Sequence, residues 1–166
     1  VFISRFTENK LVIGLVALIA SAGYFLPQLF TSNWTQRQPV KRDVVVKVGF
    51  FTERLPILLF PLAPLSALVN PVFPVILLLF FYAWHCFGAG MIAVAWQDML
   101  GKVIPLRTRA RFFGITSFGG TFTGILGASV AAYLLDHVGF PYGYVISFAI
   151  EGLMILLSWV FIAMTR

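Results

Sequence analysis

Two side chains in this sequence stand where proton chemistry would be costly unless it were needed. Glu151 lies in the middle of the apolar run from Tyr142 to Met164. A lone charge at the bilayer centre costs about 2.5–3.5 kcal/mol on insertion scales, so such residues usually face a cavity or a partner. Glu151 therefore reads as a proton or substrate site, or as a protonated carboxyl hydrogen-bonded within a helix bundle. His85 lies midway along another apolar run, beside Trp84 and Tyr82. An imidazole there could relay protons or bind a solute, or be a neutral ring satisfied by a neighbouring helix. Glu53 and Arg54 are adjacent, so on a helix they point about 100° apart. That spacing predicts that they do not pair with each other and that Arg54 snorkels to the headgroup level. A contact of this pair with Asp98 or Arg109 is the sharper alternative. Asp98, Arg107, Arg109 and Arg111 flank one loop. They read as helix-end charges, or as salt bridges between helix ends that break in a conformational change.

Other chemistry is missing. The sequence holds no Gly-x-Ser-x-Gly, no His-Glu-x-x-His, no phosphate-binding loop and no cysteine cluster, so the reading is not an enzyme. No cofactor is expected, and His85 and His137 are too isolated to suggest a metal site. Cys86 is the only cysteine. It excludes an intrachain disulfide and reads as a small buried hydrophobe.

The elements that must hold these residues follow from composition. Of 166 residues, 60% are hydrophobic and 11% charged. A soluble domain carries about 25% charged residues, so this chain cannot cover a water-facing surface. Lipid is the partner it implies. The net charge of +6 sits in short gaps between apolar runs, which marks membrane topology and not a nucleic-acid footprint.

A crossing helix needs roughly 20 apolar residues. Five segments qualify, near 11–30, 48–69, 74–96, 112–135 and 142–164, with long loops at 31–47 and 98–111. Asn70-Pro71 and Pro74 divide the second from the third, because the uncharged stretch from Leu55 to Gln97 is too long for one crossing. Alternating crossings put ten of the twelve Lys and Arg, Arg54 included, on one side. The positive-inside rule then places both long loops and the C-terminus in the cytoplasm. Gly120, Gly124 and Ala128 recur every four residues, a small-residue stripe suited to close helix packing. The expected fold is an all-α transmembrane bundle of about five crossings, in the cell (inner) membrane.

The stretch from Trp96 to Gly114 reads Trp-Gln-Asp-Met-Leu-Gly-Lys-Val-Ile-Pro-Leu-Arg-Thr-Arg-Ala-Arg-Phe-Phe-Gly, followed by a Gly-rich helix ending in Leu-Leu-Asp. It resembles the segment joining the fourth and fifth helices of major facilitator superfamily transporters. There an acidic residue ends one helix and a proline, an arginine and a glycine precede the next; here these are Asp98, Pro105, Arg109 and Gly114. Arg109 is followed by Ala110 where the family usually has glycine. The Gly-x-x-x-Asp-x-x-Gly-x-Arg loop of the family is absent between Thr31 and Val48, Trp84 and His85 stand where an arginine is frequent, and the proline of the antiporter motif is missing.

The resemblance implies that the five segments are helices two to six of an amino-terminal half, with Val1–Ser4 ending the first. The rest of that first helix and a carboxy-terminal six-helix half are then the expected partners. It implies binding of a small solute near the midplane between two halves and alternating access by rocking. It also raises Asp98 and Arg109 as part of a cytoplasmic gating network with Glu53 and Arg54. The alternative is a membrane scaffold or accessory subunit without transport, favoured if the Gly120–Ala128 stripe is satisfied within this chain.

Overall fold

The computed structural model describes residues 2–165 and is helical throughout. After a 3-10 turn at Ile3–Arg5 come α1 (Lys10–Arg37), an interrupted helical rod α2 over residues 41–68, α3 (Phe73–Val103), α4 (Leu106–His137) and α5 (Tyr142–Met164). The chain is an all-α bundle. The four unbroken helices α1, α3, α4 and α5 are each long and apolar enough to cross a membrane; α2 is the fifth element.

Local chemistry sets the helix ends. Asn9 caps α1, its Oδ1 accepting from the Leu11 amide at 2.9 Å, as the preference for short polar side chains at helix starts requires. The Asn70 side chain accepts from the Val72 amide at 2.9 Å just before α3. Helices extend beyond the apolar runs that predict them. α1 continues to Arg37 and α3 to Val103, so the links that remain are residues 38–40 and 104–105. Beyond the apolar runs, no further proline stands before Pro39 or Pro105, and Pro27 is absorbed inside α1. Only proline, which lacks the amide donor and restricts the residue before it, stops the ladder.

α2 is broken for the same reason. Two π-helical turns, Val44–Val48 and Phe50–Arg54, lead into short pieces at Leu55–Leu59, Leu62–Leu65 and Ser66–Leu68. Pro56, Pro61 and Pro64 remove three amide donors from this rod. Freed carbonyls find other donors: the Ile57 carbonyl, left by Pro61, accepts from the Phe60 amide at 3.1 Å, and the Phe60 carbonyl, left by Pro64, accepts from the Ala63 amide at 3.0 Å. Such re-satisfaction is what makes proline tolerable in apolar helices.

α1 and α3 form the most extensive helix pair. Their contact depends on glycine. A Cβ on Gly23 would stand 2.9 Å from Cys86 Cβ, and one on Gly90 would run into the Tyr24 carbonyl. Gly88 makes the α2–α3 contact in the same way, since a Cβ there would collide with the Thr52 carbonyl. Small residues at helix crossings let backbones approach and replace hydrophobic drive with close packing. Phe2, Phe60, Tyr144 and Phe148 pack edge to face at one end, with Phe2–Tyr144 centroids 4.9 Å apart and Phe60–Phe148 5.6 Å apart. α4 stands apart: it packs chiefly on α5 and buries no residue.

Candidate functional site

The ionisable residues gather on two faces of α3. On one, His85 Nδ1 lies 3.0 Å from the Glu53 carbonyl oxygen. A carbonyl only accepts, so this contact places a proton on Nδ1. The bond ties α3 to the π-helical turn of α2. Glu151, on α5, lines a cavity of about 330 Å³ with Val16, Phe60, Leu78, Tyr82 and Phe148. It is the one charged residue on that wall. His85 does not line that cavity, and the two residues singled out for proton or solute chemistry share no hydrogen bond among the described residues.

Glu53 and Arg54 correct a sequence expectation. They pair with each other, Arg54 Nη1 donating to Glu53 Oε2, and Arg54 is 6% exposed instead of snorkelling to headgroups. The cause is the π-helical turn. Gly49 has no side chain, so Arg54 folds back over it; a Cβ there would meet Nη1 at 2.9 Å and Ile92 Cδ1 at 3.0 Å. A buried guanidinium without a counter-charge is strongly disfavoured, and the neighbouring carboxylate supplies it. Arg54 Nε has no hydrogen-bond partner among the described residues.

Asp98 and Arg109 are not paired with each other or with Glu53 and Arg54. Asp98 Oδ2 accepts from Lys102 Nζ at 2.8 Å, one turn along the same helix. Arg109 donates through Nη2 to Gly101 O at 2.8 Å and Ile104 O at 3.1 Å. It caps the C-terminal carbonyls of α3, where a cation also complements the helix dipole. In this conformation the four residues offered as one gating network form separate local contacts.

Sequence reasoning missed three polar ties. Lys41 Nζ donates to the carbonyls of Thr35, Gln36 and Gln38 at 2.6, 2.9 and 2.8 Å, closing the end of α1 with all three of its protons. A lysine just past Pro39 was the available signal. Arg42 Nη2 donates to the Ala163 carbonyl, and Trp159 Nε1 donates to Val46 O at 2.8 Å. Both join α2 to α5 across more than a hundred residues, a pairing that no local spacing encodes.

Gly120, Gly124 and Ala128 lie on an open face of α4. Nothing stands within 4 Å of a Cβ placed on Gly114, Gly119, Gly120, Gly124 or Gly127, and Ala128 is exposed. The stripe is not used for packing among the described residues. Those residues also contain no group of three His, Cys, Asp or Glu side chains placed to hold a metal ion.

Apolar membrane-length helices, glycine-mediated crossings and a few ionisable groups buried among them define a polytopic membrane protein. Residues 3–166 match the model of the Major Facilitator Superfamily. The chain belongs to that superfamily, a family of membrane transporters. No curated protein and no solved structure matches it.

Proposed function

We propose that this chain is the amino-terminal part of a transporter that moves a small solute by alternating access. The observation that carries the reading is the open face of α4. A stripe of small residues is suited to a helix partner, and along Gly120 and Gly124 no partner stands within this chain. A further helix and a second six-helix half are the occupants this reading assigns to it. A scaffold complete in itself would have used the stripe internally.

The reading orients the chain with links 38–40 and 104–105 and the C-terminus in the cytoplasm, in the cell membrane. Ten of the twelve Lys and Arg then lie on that side. Glu151 serves as the proton or solute group at mid-depth, and His85 is the second such group. Asp98, Arg109, Glu53 and Arg54 lie toward the cytoplasmic end, where their partners exchange between access states.

Site-directed spin labels in the full-length protein test the docking of α4. A label replacing Gly124 should be immobilised and shielded from lipid-dissolved oxygen. One replacing Leu126, two residues on and across the helix, should be mobile and oxygen-accessible. Equal oxygen access at both sites would mean that the stripe faces lipid, and the transporter-half reading would fall.

A further inference from the structure

We propose that the cleft around Arg54 binds a small oxyanion, a group of the carboxylate or phosphate type. The cleft measures about 270 Å³ and is bounded by Tyr24 of α1, Glu53 and Arg54 of α2, Ala93 and Trp96 of α3 and Ser158 of α5. Arg54 is 6% exposed, and its Nε has no hydrogen-bond partner among the described residues. A buried guanidinium N–H left without an acceptor is costly, because the group has given up water and gained nothing in return.

Glu53 takes Nη1 only and leaves the Nε edge of the fork free. That edge is the one that receives an oxyanion side-on in charge-assisted pairs. Tyr24 and Ser158, both hydroxyl-bearing residues, line the same cleft, and neither hydroxyl is hydrogen-bonded to another described residue. Two hydroxyl-bearing residues and one unspent cation edge therefore border a single volume.

The charge around the cleft favours an anion despite Glu53. Arg42 lies one turn before Val45 and donates to Ala163, next to Ile162; Val45 and Ile162 both line the cleft. Arg42 Nε is likewise buried and without a partner. Arg42 is not itself a lining residue, so its guanidinium adds positive potential from outside the cleft, where Arg54 and Glu53 offset each other. The volume is just below the roughly 300–1,000 Å³ of sites that take drug-sized ligands, so the occupant has few heavy atoms. The aromatic faces of Trp96 and Tyr24 suit an oxyanion carrying a small apolar group.

This is a claim about binding and stands or falls independently of transport. The oxyanion can be a free solute or the phosphate of an anionic lipid headgroup, and the test separates them. The full-length protein is placed in phosphatidylcholine nanodiscs, and its melting temperature and tryptophan emission are followed against inorganic phosphate, with chloride at matched ionic strength as control. A saturable rise specific to phosphate supports a free oxyanion. A rise absent with phosphate but present when phosphatidylglycerol replaces phosphatidylcholine supports the headgroup source.

Arg54→Gln removes the site but can also unfold the bundle, so Tyr24→Phe and Ser158→Ala carry the assignment. Each deletes one hydroxyl donor to a charged acceptor and should weaken the effective ligand by about tenfold or more while the ligand-free melting temperature stays unchanged. Absence of any shift with phosphate and with phosphatidylglycerol overturns the proposal. A shift of the same midpoint in both hydroxyl variants overturns it too, because the anion would then be bound elsewhere.

Discussion

Gly88→Ala tests the closest helix contact in the bundle. The added Cβ would point straight into the carbonyl of Thr52 on α2, with the Thr52 side chain also inside contact distance. The obstacle is backbone and cannot rotate away. Restoring an ordinary C···O separation of about 3.3 Å requires α2 to retreat from α3 by roughly 1 Å or more. Overpacking of this kind costs about 1–3 kcal/mol, and a backbone clash belongs at the upper end. Replacing glycine by alanine within a helix returns up to about 1 kcal/mol. The net loss is then about 2 kcal/mol, or a fall in melting temperature of roughly 4–8 °C for a chain of this size. The retreat would also strain the bond between His85 and the Glu53 carbonyl, which sits one turn before Gly88. Thermal unfolding in detergent, followed by tryptophan fluorescence, measures the effect. Gly101→Ala is the control, since nothing lies within 4 Å of its added carbon, and it should melt at or slightly above the wild-type temperature. If Gly88→Ala melted no lower than Gly101→Ala, the α2–α3 contact described here would be wrong.

Two further outcomes follow from the polar ties and one from the open face of α4. Lys41→Met removes the donor to three carbonyls at the end of α1 and should lower stability by about 1 kcal/mol, read as a melting shift of roughly 2–4 °C. Asp43 accepts from Lys47 at 2.8 Å, and that hydrogen bond, then the ammonium charge, holds its carboxyl below the usual aspartate value. A lowered folded value means that the contribution is present above the unfolded pKa of about 3.9 and is lost as pH falls through the folded one; carboxyl NMR should show the low midpoint, and Lys47→Ala should return it toward the ordinary value. Gly124→Ala meets no atom within 4 Å in this chain, yet in the full-length protein it should impair solute movement, because the partner that the open face awaits would meet the new carbon. Equal transport rates for Gly124→Ala and wild type would argue that nothing docks there.

The fold class and the approximate number of membrane segments were legible because charge is so scarce in this sequence that each cluster of it marks a helix end. Asn70-Pro71 fall between α2 and α3 and Pro74 lies in the first turn of α3, where proline acts locally. The interruption of α2 was readable in principle from Pro56, Pro61 and Pro64. Its π-helical turns were not, because no local spacing marks them; with them Arg54 folds back over Gly49 beneath Ile92, a contact between two helices. The same tertiary fold-back reversed the expected independence of Glu53 and Arg54. For Asp98 and Arg109 the spacing on the chain named the right loop, but the nearest acceptors won: Lys102 lies one turn away and the α3 carbonyls end within reach of the guanidinium. Long-range ties such as Trp159 to Val46 carry no sequence signature at all.

The central claim is that this chain forms part of a solute transporter with Glu151 in its proton or solute path, and the most direct measurement is flux. The full-length protein, reconstituted in proteoliposomes containing a pH-sensitive dye, is exposed to a panel of small solutes, oxyanions among them, in wild-type and Glu151→Gln forms of equal thermal stability. The account predicts that at least one solute drives proton movement in the wild type and that Glu151→Gln abolishes it. No solute-dependent movement in either form, or identical movement in both, would contradict it.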